Sequence, residues 1–341
     1  MLEIIKNVTS LGEMQQKLDV VYQNHTNLSF YSPAYVLASF EYVLTSDKRN
    51  SLFFVVNKIQ NEITHYMPWY IDANKTLRFI FDKHTDYCSC IGPEMNFSML
   101  KDLAKLIITN PEIKRVDFEN LLPNDALLNS FKHFLGLGSV ISCYNNHSFI
   151  SSSASKDFFH HLKSKEKSEL KRVHNKNKNY NFEVFDGKEV FPEKQIRVLR
   201  DLMIANKSRN TTFFDDEFLS FSKLLYDAGE LEIFSKWDKE HLVSSSMVLK
   251  NNTGNYRMVW IDLYADIQFV NLSAYVDYIH HLEQYSPIVF SFGRGSYDYK
   301  AKNFQPQIQN LYNLRYSKSK FDFFFTNYYL LKYFLKRIIK K

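Results

Sequence analysis

The chain has 341 residues, of which 45% are hydrophobic and 23% are charged. This composition excludes an intrinsically disordered protein, and the length predicts two domains because one compact core rarely holds so many residues. The three cysteines, Cys88, Cys90 and Cys143, lack disulfide or zinc-ligand spacing, so we interpret them as small buried residues in a reducing compartment. A secretory signal and an apolar run of about 18 residues are both missing, which predicts a cytoplasmic protein.

The net charge of +6 is unevenly distributed. Lysine is dense from Lys163 to Lys178, and basic residues recur from Arg337 to Lys341, whereas the first half is closer to balance. Such asymmetry predicts an anionic ligand or surface beside the second half.

The first half predicts alternating helices and strands. Leu11, Met14, Leu18 and Tyr22 have helical spacing, and apolar β-prone runs alternate with polar turns. Further helices are predicted at 33–44, 98–108 and 123–134, and strands at 52–56, 63–70, 77–81, 115–118 and 140–144.

The polar, small-residue segment Asn145–Ser155 is the predicted domain boundary. After it, helices are predicted at 156–175, 193–205, 216–226 and 272–285, and strands at 181–185, 231–237, 242–250, 256–263 and 288–292. The similar order of elements in both halves predicts an α/β (α+β) fold with two domains, each a mainly antiparallel mixed sheet flanked by helices. We assign residues 1–150 and 151–320 to these domains and 321–341 to a basic amphipathic C-terminal helix.

Gly293-Arg294-Gly295 follows an apolar strand, in a chain that has only 9 glycines. Two glycines around one arginine indicate a tight backbone path that presents Arg294. Asp298, Tyr299, Lys300 and Lys302 follow in what we predict to be an exposed stretch, and such groups suit a developing oxyanion or a phosphate. The alternative is a glycine turn that carries an ordinary surface salt bridge.

The stretch FSFGRGSYDYKAKNF resembles the closing motif of the CelD-like acetyltransferases, a branch of the GNAT superfamily. Ser291 departs from it, because the family usually has aspartate there. Tyr299-Lys300 with Phe304 also resembles the closing motif of the Fem-type peptidyltransferases, which are built from paired GNAT-like domains. Weaker similarities in the same order extend over nearly the whole chain. The matching residues are Phe290, Phe292, Gly293, Arg294, Gly295, Tyr299 and Lys300.

The resemblance implies two tandem GNAT-like domains and an N-acyltransferase that uses acyl-CoA or acetyl-CoA as co-substrate. The implied acceptor is a nucleotide sugar or another small precursor of cell-surface polysaccharide. By the same resemblance Lys300 stabilises charge during transfer, Arg294 with Gly293 and Gly295 contacts the acyl donor, and Tyr299 shapes the cleft. Asp262 or Tyr264, at the end of a predicted strand, would accept the proton.

The usual glycine-containing loop for the coenzyme A pyrophosphate is missing from the sequence. The acyl donor could therefore be held differently, or be an acyl carrier protein or an aminoacyl-tRNA. Two alternatives stay open: a Fem-like, tRNA-dependent aminoacyltransferase, and an inactive GNAT pair that serves as a binding scaffold.

The lysine-rich helix includes Lys171 and Arg172, with Glu166 and Glu169 interleaved. It is either a solvated face with i,i+4 ion pairs or a phosphate-binding face, in which case Lys171 and Arg172, together with Asp298 and Lys302, would bind substrate. It has no interleaved aromatic platform, and we predict no DNA partner.

The histidines occur as adjacent pairs or singly and no Cys/His cluster is present, so we expect no metal. The tail from Phe321 to Lys341 predicts a basic amphipathic helix. It would either pack on the second domain or contact the inner face of the membrane peripherally.

Overall fold

The computed structural model describes residues 1–25, 29–80, 84–136, 139–153, 156–206, 214–295 and 298–319. The chain forms two compact units. The first unit comprises Met1–His25, Val43–Asn145 and Asn310–Lys341, and the second comprises Thr26–Tyr42 and Asn146–Gln309. A segment from each half is thus assigned to the unit of the other half, a feature that the predicted division at residue 150 does not include.

The first unit contains a small antiparallel sheet and a second, mixed sheet. The small sheet has the order β1-β3-β4, with β1 (Leu2–Ile5), β3 (Phe54–Ile59) and β4 (Glu62–Met67). The other sheet contains β2 (Ser51–Leu52), β5 (Trp69–Ile71), β6 (Thr76–Phe79), β7 (Arg115–Leu121) and β14 (Gln307–Ser317, from Asn310 onward). Among these described strands β6 and β7 pair in parallel, whereas β2–β5, β5–β6 and β7–β14 are antiparallel pairs. The helices are α1 (Val8–Glu13), α2 (Gln15–His25), α4 (Phe97–Thr109) and α5 (Lys132–Leu135).

The second unit has a sheet in the order β8-β13-β12-β11-β10-β9. Its strands are β8 (Ser139–Ser151), β9 (Asn181–Phe185), β10 (Leu231–Asp238), β11 (His241–Lys250), β12 (Tyr256–Tyr264) and β13 (Val289–Arg294), and the boundary between the units divides β8 after Asn145. Its helices are α3 (Pro33–Ser46, to Tyr42), α6 (Ser164–Lys176), α7 (Glu193–Ala205), α8 (Asp216–Asp227), α9 (Val270–Leu282) and α10 (Asp298–Phe304).

Neighbouring strands of this second sheet are antiparallel except β12 and β13, which are parallel. An aromatic cluster packs α9 onto the sheet: Tyr278 stacks on Phe234 with ring centroids 4.3 Å apart, and Tyr275 stacks on Phe292 at 5.8 Å. The predicted fold class is confirmed: mixed sheets, mainly antiparallel, are flanked by helices.

Some predicted elements differ from the structure. Residues 145–151 belong to β8, and residues 147–151 pair with β13, so the predicted boundary segment contains a strand; the boundary between the two units falls within it, after Asn145. Helix α6 begins at Ser164, since Lys163 has an extended backbone. Only Cys88 is fully buried, whereas Cys90 is half-buried and Cys143 is exposed.

Within the described residues, no helix combines the length and the hydropathy that crossing a bilayer requires.

Candidate functional site

The parallel pair β12–β13 is interrupted. Its register joins Tyr256 to Val289 and ends where Met258 pairs with Ser291, although β12 continues to Tyr264 and β13 to Arg294. Beyond this point the two strands are no longer paired with each other, so the parallel ladder covers only part of either strand.

Irregular backbone on both sides of β12 and β13 accompanies the interruption. Between β11 and β12, Val248 pairs with Val259 and Met247 with Ile261, so Trp260 is the extra residue of a β-bulge. The Trp260 ring is anchored by Phe218, with centroids 4.8 Å apart. The register between β13 and β8 also shifts after Ser291. Both irregularities change the direction of β12 and β13 near the point where these two strands cease to pair.

Asp262 lies on β12 beyond this interruption and is held by hydroxyl groups. The Ser246 hydroxyl donates to Asp262 Oδ1 at 2.7 Å, and the Tyr275 hydroxyl donates to Oδ1 at 3.0 Å and Oδ2 at 2.8 Å. Ser246 and Tyr275 are fully buried, while Asp262 is half-buried. The sequence identified Asp262, but not the residues of β11 and α9 that orient its carboxylate.

Asn271, in the first turn of α9, extends this network. The Ser244 hydroxyl donates to Asn271 Oδ1 at 3.1 Å. Ser246 Oγ lies 3.4 Å from the same oxygen and 2.7 Å from Asp262 Oδ1. Because Ser246 has a single hydroxyl proton, the shorter contact, with Asp262, is its main hydrogen bond.

The Gly293-Arg294-Gly295 turn closes β13. Gly293 and Gly295 have φ values of 72° and 96°, a region that other L-residues rarely adopt. The Gly293 N–H donates to Ser291 Oγ at 3.2 Å, and the Gly295 N–H donates to the Asn146 carbonyl at 2.8 Å. Ser291 thus caps the turn from the position where the resembling family has aspartate. Arg294 is half-buried at this end of the strand.

The prediction that Lys300 lies in an exposed stretch is wrong. The stretch folds as α10, and Lys300 is 3% exposed. Lys300 Nζ donates to the Phe292 carbonyl at 2.6 Å and to the Arg294 and Gly295 carbonyls at 3.4 Å each. The polar residues around Lys300 in the sequence predicted an exposed side chain. In the structure, backbone carbonyls at the end of β13 take the place of water around its ammonium group.

The remaining predicted site residues of this region lie on β12 and α10. Tyr264 is 36% exposed at the end of β12, and Lys302 is exposed on α10. Asp298 and Tyr299 belong to α10, but their side chains lie outside the described part of the chain.

Two cationic side chains of α6 lie at the N-terminal end of α9. Phe269 caps the helix with a left-handed backbone (φ 65°) and no side-chain cap hydrogen bond. Arg172 and Lys176 lie over its ring, 5.3 and 5.6 Å from the centroid, and Lys176 also donates to Gln268. Arg172 is paired with Glu169 at 2.6 Å, and Lys171 is exposed on the same helix.

A cavity of about 500 Å³ lies between α7 and α8. The two helices pack against β12, because the Tyr264 N–H donates to Sδ of Met203 at 3.1 Å and Trp260 packs on Phe218. Tyr42 donates to Asp215 at 3.4 Å, and burial together with the charge of Asp215 raises the pKa of Tyr42 to about 12. The cavity is lined by Arg200, Ile204, Phe214, Asp215, Asp216 and Glu217.

His147 is the β8 residue that pairs with Arg294, so its imidazole lies next to the glycine turn. It is buried, its Nε2 lies 2.6 Å from Gln309 Oε1, and its ring stacks on Phe149. Burial lowers the pKa of His147, and the contact with Gln309 opposes that effect only in part.

Among the described residues, no group of three histidine, cysteine, aspartate or glutamate side chains is arranged to hold a metal ion.

Solved structures with the same fold cover nearly the whole chain. The C-terminal DUF2156 domain assigned to a lysylphosphatidylglycerol synthetase of Agrobacterium fabrum aligns with a TM-score of 0.61 and 12% identity, covering 92% of this chain and 93% of that one. L-PGS from Bacillus licheniformis gives 0.59 and 11%, covering 89% and 92%. FemX gives 0.58 and 10%, covering 88% and 95%.

Sequence comparison adds no relative: neither a protein-family profile nor a curated protein sequence matches. The chain therefore has the same fold as FemX and these lysylphosphatidylglycerol synthetase domains, which agrees with the Fem-related part of the resemblance.

Proposed function

We propose that this chain is an acyltransferase that moves an acyl group from an activated thioester or ester to an amine or hydroxyl. The observation that carries the proposal is the parallel pair β12–β13, which ends at Met258 and Ser291 with Asp262 just beyond it. An extended acyl donor would lie where the two strands are no longer paired, which leaves its acyl carbon near the ends of the two strands.

The side chains near these strand ends supply the chemistry. The acceptor nitrogen attacks the acyl carbon, the C–N bond forms, the bond to the leaving sulfur or oxygen breaks, and the nitrogen loses a proton. Asp262, oriented by Ser246 and Tyr275, is the proton acceptor in this proposal, and Tyr264 is its neighbour at the strand end. Arg294 places positive charge where negative charge develops or where the acyl donor carries phosphate.

The cavity between α7 and α8 supports one class of acceptor. Asp215, Asp216 and Glu217 give it carboxylates, and Arg200 is engaged by Asp216 at 2.5 Å. Carboxylates favour a cationic group, so we propose an amine-bearing acceptor. The CelD-like motif extends this proposal to an amino sugar nucleotide or another small precursor of cell-surface polysaccharide, made at the inner face of the membrane.

Coenzyme A thioesters are the first candidate acyl donors. Their pyrophosphate would lie at the N-terminal end of α9, which has no side-chain cap, beside Arg172 and Lys176. The loop before α9, residues 265–269, contains no glycine, so these cations would replace part of the backbone cradle that the superfamily uses.

Aminoacyl-tRNA is the second candidate acyl donor. The same two cations suit the phosphates of an acceptor stem, and the likeness to FemX spans 88% of the chain. In this version an aminoacyl ester replaces the thioester and the proton steps at Asp262 stay the same.

The test is transfer from radiolabelled acetyl-CoA, acetylated carrier protein and charged tRNA to a panel of amines that includes amino sugar nucleotides. We expect turnover with one class of acyl donor, and Asp262→Asn should lower it about 100-fold or more. The matched control is Asp266→Asn, which removes an exposed carboxylate from the turn after β12. Turnover with charged tRNA alone selects the second candidate. Binding of acyl donor or acceptor without turnover would favour the inactive scaffold and contradict the proposal.

A further inference from the structure

Lys300 is surrounded by backbone oxygen. Among the described residues, its ammonium donates to three carbonyls: Phe292 at 2.6 Å, Arg294 at 3.4 Å and Gly295 at 3.4 Å. The side chain is 3% exposed. The ammonium is therefore engaged by the turn itself, so direct contact with a ligand would require it to give up these acceptors.

The carbonyls converge because of the unusual backbone of the turn. Gly293 and Gly295 have left-handed backbones, and the carbonyls of Phe292, Arg294 and Gly295 all lie within hydrogen-bond distance of Lys300 Nζ. Carbonyl dipoles that converge in a buried place repel one another unless a cation or donor lies among them. Lys300 supplies that cation.

Helix α10 fixes the origin of the Lys300 side chain. Phe304 lies four residues further on, so both residues occupy the same face of the helix. Phe304 is fully buried, and its ring lies 4.7 Å from that of Phe292. The ring contact and the ammonium–carbonyl contact thus join α10 to the same residue of β13 at two points.

We infer that Lys300 is a positioning residue that holds the Gly293-Arg294-Gly295 turn in the conformation that presents Arg294 to the acyl donor. The inference rests on the proposed function and divides its cationic roles: Arg294 contacts the ligand, and Lys300 acts through the backbone of Arg294. It differs from the role implied by resemblance, in which the lysine itself stabilises charge during transfer.

The first test needs no substrate. Hydrogen exchange of the Gly295 amide, which donates to Asn146, reports whether the turn is formed. In Lys300→Met, exchange across residues 289–295 should rise about tenfold or more, with β10 and β11 unchanged as an internal reference. Arg294→Ala keeps the carbonyls and should leave this exchange close to wild type. Wild-type exchange in Lys300→Met would overturn the inference.

A second variant keeps the test decisive if Lys300→Met does not fold. In Lys300→Ala, added methylammonium should restore protection of residues 289–295, because it brings N–H donors to the vacated carbonyls. Tetramethylammonium, which has no N–H, should not. Equal effects of the two cations, or protection without either, contradict a donor role for Lys300.

A double-mutant cycle then separates positioning from direct contact. The probe is acetyl-CoA or charged tRNA, whichever the wild type turns over. In the wild-type background, Lys300→Met should reduce kcat/KM strongly. In the Arg294→Ala background, the same substitution should reduce kcat/KM by less than about twofold. A full multiplicative loss in both backgrounds shows that Lys300 contacts the reacting groups itself and overturns the inference. If neither probe is turned over, the proposed function fails, but the exchange experiments still decide the role of Lys300 in the turn.

Discussion

Tyr275 bonds to Asp262 through its hydroxyl, at 2.8 and 3.0 Å, while its ring stacks on Phe292. One side chain of α9 thereby reaches both β12 and β13 beyond the point where their pairing ends. Since hydroxyl and ring serve different strands, substitutions can separate the two contacts.

Tyr275→Phe should keep the ring contact and remove the hydroxyl. The half-buried carboxylate of Asp262 then loses its bonds from Tyr275, so we expect a loss of about 1–2 kcal/mol in the free energy of unfolding and roughly a tenfold fall in kcat/KM. Denaturant titration and initial rates measure the two effects. Tyr278→Phe is the matched control, because it removes from the same helix a hydroxyl that donates to a different carboxylate, that of Glu232. Equal loss of activity in both variants would contradict the proposed role of Asp262 as proton acceptor.

Asn271→Asp tests the serine network around Asp262. The new carboxylate would still accept from Ser244, but it would add a second negative charge beside Ser246, whose single proton is given to Asp262. We expect destabilisation of about 1–3 kcal/mol, measured by denaturant unfolding. The control Asn179→Asp adds the same charge at an exposed position. Unchanged stability of Asn271→Asp would show that Asn271 and Asp262 are not linked through Ser246.

Removing the two cations that lie over Phe269 should weaken binding of the acyl donor. Arg172→Gln with Lys176→Gln is expected to raise its Kd by roughly 10-fold, and added salt should reduce the difference, because the lost contribution is electrostatic. Lys165→Gln with Lys167→Gln removes the same charge from exposed positions of α6 and serves as the control. Titration calorimetry measures both pairs. Equal weakening by the two pairs would indicate a diffuse charge effect instead of a site.

His147 should make stability depend on pH. Burial holds its pKa in the folded protein below the ordinary 6.5, so the unfolded chain binds more protons as the pH falls. The contribution of neutral His147 is therefore complete above about pH 6.5 and is lost as the pH falls from there through the folded-state pKa.

His147→Asn should accordingly reduce the loss of stability between neutral and mildly acidic pH, measured by thermal unfolding across that range. His160→Asn, at an exposed histidine, is the control. His65 and His281 also have pKa values lowered by burial, so part of the pH dependence should persist in the variant. A variant with the full wild-type pH dependence would contradict the assignment to His147.

Local sequence patterns predicted much of the second unit. Apolar runs at 231–237, 242–250 and 256–263 are strands β10, β11 and β12, and the position of Asp262 at the end of its strand followed from the same pattern. Glycines around Arg294 correctly indicated a tight turn, since few other residues adopt those φ values.

Contacts between distant elements escaped prediction. Tyr275 and Asn271 lie in an apolar helix, and only the packing of α9 against β11 and β12 gives them polar partners. Lys300 was expected in solvent because its neighbours in sequence are polar, while the carbonyls that surround it come from β13. Residues 29–42 belong to the second unit through contacts such as Tyr35 with Trp260, which have no local signal.

The central claim is that the acyl donor occupies the interrupted pair β12–β13. Hydrogen exchange of the wild type with and without the acyl donor that supports turnover tests it most directly. The account predicts slower exchange in residues 259–264 and 289–295 when that donor is bound, with the cavity between α7 and α8 unaffected until an amine acceptor is added. Protection elsewhere in the described residues, with none along these two strands, would contradict it.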